Sequence, residues 1–131
     1  QPVPVTPDAR VRALVLLAPA TGWYIPGALA EVRLPILMVT GDQDVNTPSG
    51  HALNVLVGVG EPSLVEHKVY AGAGHFSFMS KFPPEMTKPE FHPSQDPPGF
   101  DRSDIQQELF AQITGFLHRT LAVEPWYGAA P

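Results

Sequence analysis

The chain has 131 residues, 44% of them hydrophobic, which suits a single domain with one core. The absence of cysteine excludes disulfide frameworks, thiolate zinc sites and cysteine nucleophiles, and it leaves the redox compartment open. A net charge of −5, with only 8 Lys and Arg and no basic stripe, argues against a nucleic-acid partner.

The 16 prolines gather at the two ends and between Phe82 and Pro98, so the irregular parts are expected there. Residues 1–10 form an irregular leading segment without the charged and apolar regions of a signal peptide. No apolar run is long enough to span a bilayer, so no transmembrane segment is expected. A cytoplasmic location and export after removal of a signal both stay open.

"VRALVLLAPA" holds a continuous apolar run from Ala13 to Leu17, the pattern of a strand buried on both faces, and it stops at Pro19. A loop with Gly22, Trp23 and Tyr24 follows, then a short helical turn over Ala28 to Arg33. Pro35 marks entry to the second apolar strand, Ile36 to Thr40. Beyond an acidic loop, Thr47 is placed to cap a helix with Pro48 at its first position. The apolar residues Leu53, Leu56 and Val57 of that helix fall at helical spacing, and Gly58 and Gly60 are its stops. A third strand, Leu64 to Tyr70, alternates more and so belongs nearer a sheet edge.

Residues 81–102 are too rich in proline for regular structure and too long for a plain connection, which suggests a functional loop or covering flap. The last helix starts at a capping box of Ser103 and Gln106. Its stripe of Ile105, Leu109, Ile113, Phe116, Leu117 and Leu121 needs a sheet to cover. Residues 122–131 form a tail in which Trp126 and Tyr127 are the docking candidates.

Alternating strands and helices give an α/β class with about three parallel strands, flanking helices and an incomplete sheet. The first strand is as apolar as a central one, yet no earlier segment supplies its neighbour. It therefore calls for pairing with another segment or a second copy.

Chemistry is expected beyond the carboxyl ends of the strands, where Asp44 and His75 lie. Adjacent strands run about 4.8 Å apart, so neighbouring positions would bring the Asp44 carboxylate to the His75 ring. Such a pair fixes the imidazole tautomer and stabilises the imidazolium formed on accepting a proton. The alternative is that Asp44 caps the turn after it and His75 is an ordinary loop histidine.

The order "RVRALVLLAPA", "PILMVTGDQDVNTP", "KVYAGAGHFSF", "DPPGFDR" and a final amphipathic helix resembles the C-terminal part of an α/β-hydrolase. Within that superfamily it is similar to the predicted dienelactone hydrolases and the enzymes like platelet-activating factor acetylhydrolases. The resemblance runs from about Ala9 to Leu121 and implies the C-terminal half of that fold. In the G-x-x-D-x-x-x-P pattern formed by Gly41, Asp44 and Pro48, it makes Asp44 the triad acid; in the G-x-G-H segment it makes His75 the general base. Asp42 becomes a polar member of the same loop. No GxSxG elbow occurs in the chain, and Ser49 and Ser77 read as capping or loop serines.

Two functions follow. In the first, the chain is the C-terminal portion of a serine ester hydrolase acting on a small-molecule or lipid ester, inert alone because the nucleophile lies in a missing N-terminal portion. In the second, it is a non-catalytic module that binds a partner or itself through the open sheet edge. Trp23, Tyr24, Phe76 and Phe78 are candidates to line a substrate pocket. No cofactor is implied. His51, His67, His75 and His92 lack the paired spacing of metal ligands, so no metal site is expected.

Overall fold

The three apolar runs become one open parallel sheet of order β1-β2-β3 in the computed structural model, which describes Thr6 and residues 8–121. They are β1 (Leu14–Leu17), β2 (Ile36–Gly41) and β3 (Val65–Tyr70). Strand β2 is central, and Ile36 to Val39 are buried on both faces, as their unbroken apolar character requires. Both outer strands are edges. The first strand is accordingly only half-buried, with Leu17 exposed, because among the described residues nothing pairs with its outer side.

The pleat divides the core. Leu37, Val39 and Tyr70 point to one face and pack under α2 (Ser103–Leu121), through Ile105, Leu109 and Phe116. Each of these large side chains stabilises the fold by about 1.5–3 kcal/mol through removal from water. Ile36 and Met38 point to the opposite face and meet α1 (Ser49–Gly58), so the sheet sits between two helices. The α2 stripe therefore has its sheet, with Ile113 and Leu117 at its margin.

Helix α1 differs from its sequence reading in which side it buries. Ala52 and Val55, together with Val59 just past its end, cover the sheet, while Leu53 and Val57 face outward. Leu56 packs at the margin of the same cluster. The helix starts are also reassigned. No side chain caps α1, whose preceding residue is Pro48, because Thr47 turns its hydroxyl to Asp44 instead. At α2, Asp101 rather than a Ser103 and Gln106 box receives an end N–H: the Ser103 amide donates to Asp101 Oδ1 at 2.8 Å, and Gln106 Nε2 donates to the Met79 carbonyl.

Residues 81–102 hold two single 3-10 turns, Pro84–Met86 and His92–Ser94, and no longer element. Trp126 and Tyr127, with the rest of the tail, lie outside the described residues, as does most of the leading segment. Among the described residues, no helix is long and apolar enough to cross a membrane.

Candidate functional site

Parallel pairing brings the carboxyl ends of all three strands to one rim, and the loops after β2 and β3 meet there. Gly41 makes the meeting possible. A Cβ on Gly41 would collide with the Ala73 carbonyl, whose oxygen instead accepts the Gln43 N–H at 3.0 Å. Gly72 turns the second loop at a left-handed φ of 80°. Its N–H donates to Asp42 Oδ1 at 2.7 Å, so Asp42 ties the two loops together rather than facing His75.

The result is direct contact between the two candidate residues. His75 Nδ1 lies 2.9 Å from Asp44 Oδ2, the Asp44 side chain is 1% exposed and that of His75 is 25% exposed. An ionised carboxylate only accepts hydrogen bonds, so Nδ1 carries the ring proton and the Nε2 lone pair is left free. Phe76 stands edge-on to the imidazole, with ring centroids 4.9 Å apart.

Asp44 is held by more than the histidine. Its Oδ1 accepts the backbone N–H groups of Asn46 (2.8 Å) and Thr47 (2.7 Å), and its Oδ2 accepts the Thr47 hydroxyl at 2.6 Å. Burial alone would push this carboxyl up, but the Thr47 hydroxyl and N–H, and then His75, outweigh it and hold the group below its ordinary value. Thr47 is thus a member of the site that sequence reading assigned to the helix. Its Oγ1 lies 3.1 Å from His75 Nδ1 and 3.4 Å from the Ala18 carbonyl. The signal available for it was its place three residues after an acid in a loop, the spacing of a side-chain-closed turn. Ala18, at the end of β1, has a left-handed φ of 47°, a strained conformation for a residue with a Cβ, costing about 1 kcal/mol or more.

The four aromatic candidates separate. Phe76 touches His75. Phe78 is buried in the core beneath α2 and packs on Tyr70. Trp23 is exposed, and Tyr24 borders two hollows of about 320 and 130 Å³ beside Leu29, away from the Asp44 loop. A groove of about 700 Å³ runs from Asp44 and Thr47 between Leu53 and Leu56 of α1 and His67 and Val69 of β3. It reaches the acid but is not lined by His75.

The serines and other histidines have separate bonds. Ser49 opens α1, and Ser77 is fully buried. His51 Nδ1 accepts the Thr21 N–H at 2.7 Å, while His67 Nε2 shares a hydrogen bond with Thr40 Oγ1 at 2.8 Å. Among the described residues, no cluster of three or more His, Asp or Glu side chains is placed to hold a metal ion.

Two of these groups contribute to the response to acid. Burial pushes the His67 imidazole down from 6.5, so its contribution is complete above that value and is lost as pH falls through the lower folded value. Asp44 contributes fully above its ordinary 3.8 and loses that contribution only as pH falls through its own depressed value. Urea unfolding measured across pH should therefore show a plateau above neutrality and two declines, the lower one reduced by Asp44→Asn. A stability flat down to pH about 3 would contradict the assignment.

A scan against protein-family models finds no match, and a search of the curated proteins finds none either.

Proposed function

We propose that the chain is the acid-and-base portion of a serine ester hydrolase, corresponding to the C-terminal half of an α/β-hydrolase related to the dienelactone hydrolases and the platelet-activating factor acetylhydrolase-like enzymes. The observation that carries this reading is the 2.9 Å contact between His75 Nδ1 and the buried Asp44, beyond the ends of adjacent parallel strands. A serine from outside these residues attacks the ester carbonyl while His75 Nε2 takes its proton, and Asp44 stabilises the resulting imidazolium. The imidazolium then gives that proton to the departing alcohol. Water, deprotonated by the same Nε2, releases the acid and regenerates the serine. The open outer edge of β1 supports the reading, since further strands would continue the sheet there and carry the nucleophile to the same rim.

The same edge favours a second reading, in which the chain is a non-catalytic module pairing with a partner or with itself. A serine-directed phosphonate probe separates the two. It should leave the 131-residue chain unlabelled and label the protein once the upstream portion is joined to it. A joined protein that takes no label would sink the hydrolase reading.

A further inference from the structure

The loop that carries His75 is clamped from behind by a buried polar chain. Gly74, His75, Phe76 and Ser77 form a turn in which the Ser77 N–H donates to the Gly74 carbonyl at 3.2 Å. The Gly74 N–H donates back to Ser77 Oγ at 3.0 Å. His75 and Phe76 occupy the two central positions, so Ser77 closes both ends of the turn that presents the imidazole. The Ser77 hydroxyl has one proton and gives it to Asp96 Oδ1 at 2.7 Å, which leaves its lone pairs for Gly74.

Asp96 is in turn fixed by Arg102. The arginine Nε donates to both carboxylate oxygens at 3.2 and 3.0 Å, and its backbone N–H donates to Oδ2 at 3.0 Å. The two remaining guanidinium nitrogens donate to the carbonyls of Pro93 and Gln95, each at 3.0 Å. Arg102 is 2% exposed, yet its ion pair and carbonyl partners satisfy it. Pro97 completes the clamp from outside: a Cβ on Gly74 would lie 2.8 Å from its Cγ. The end of the proline-rich segment is therefore wedged against the residue before His75.

We propose that Ser77, Asp96 and Arg102 are positioning residues that set His75 against Asp44, so that the stretch from Pro93 to Pro97 is a fixed buttress behind the His75 loop rather than a lid. Their purpose rests on His75 being the base, whereas the geometry they impose is measurable without it. A structural staple with no bearing on the imidazole would leave the His75 to Asp44 bond unchanged when Ser77 is trimmed.

The test is proton NMR of the 131-residue chain, reading the downfield Nδ1–H resonance of His75 and the amide of Gly74. Ser77→Ala, which spares the Asp96 to Arg102 pair, should speed exchange of both protons about tenfold or more, while the amides of Leu37 and Val39 in β2 keep their protection. Asp96→Asn should act in the same direction wherever it folds, and Ser77→Ala decides where it does not. A Ser77→Ala chain with wild-type exchange at His75, or a wild-type chain without that resonance, overturns the proposal. Failure of the joined protein to take the phosphonate would remove the hydrolase reading and leave this result standing.

Discussion

On the proposed hydrolase reading, Asp44→Asn in a protein joined to the proposed upstream portion should lower kcat by about 10⁴-fold and leave KM near its original value. The direction follows from the hydrogen bonds around the carboxylate. Two backbone N–H groups, from Asn46 and Thr47, converge on Oδ1, and only the carbonyl oxygen of an asparagine can accept them. The amide NH₂ is then forced to the Oδ2 position, facing His75 Nδ1. Nδ1 must accept instead of donate, the ring proton moves to Nε2, and the atom that should take the serine proton no longer has a lone pair. The fold survives because the turn keeps its two N–H bonds, so the loss appears in turnover and not in folding. A reduction below tenfold, measured on a soluble ester with the protein folded, would remove Asp44 from the acid's role.

The largest expected effect on stability belongs to Arg102. Arg102→Ala should cost about 3–5 kcal/mol, because the Asp96 carboxylate, with a side chain only 14% exposed, is left with its charge unpaired. The carbonyls of Pro93 and Gln95 lose their donors in the same step. A chain of this size should melt about 10 °C lower or more. Replacing Arg102 and Asp96 together by apolar residues of similar volume should recover much of that loss, since the unpaired charge goes as well. Thermal unfolding of the single and double variants checks this, and a shift of only a few degrees for Arg102→Ala would show that water reaches the pair. By contrast, the exposed pairs of Lys81 with Asp101 and Arg119 with Glu66 should each contribute well under about 1 kcal/mol.

Much of the architecture was legible because burial writes periodicity into sequence. The unbroken apolar run of Ile36 to Val39 marked a strand covered on both sides and the stripe from Ile105 to Leu117 a helix over a sheet, whereas the similar run in β1 is only half-buried because among the described residues nothing pairs with its outer side. The Asp44 to His75 contact was foreseeable from the same logic, since both residues follow strands whose adjacency was the one assumption needed. The polar details were less accessible. Thr47 before Pro48 has the composition of a helix cap, and only its place three residues after Asp44 signals that the carboxylate takes its hydroxyl. Asp101 likewise displaced Ser103 as the partner of the α2 end, because both are good caps and position alone separates them.

Of the three apolar residues at helical spacing in α1, Leu56 packs on the core while Leu53 and Val57 face outward, because Ala52 and Val55 supply the face that meets the sheet. The proline-rich segment suggested a cover by its length. Its anchoring depends on Arg102 reaching back to Asp96 and two carbonyls, a tertiary arrangement that composition does not express. Phe78 shows the limit of inferring a pocket from aromatic residues after a strand, since its neighbour Phe76 meets the imidazole and Phe78 itself fills the core.

The most direct measurement is the intact mass and peptide map of the joined protein after treatment with the phosphonate. The account predicts a single adduct on a serine upstream of Gln1, absent after His75→Ala, and no adduct on the 131-residue chain treated alone. An adduct on Ser49 or Ser77, or labelling that persists unchanged without His75, would contradict it.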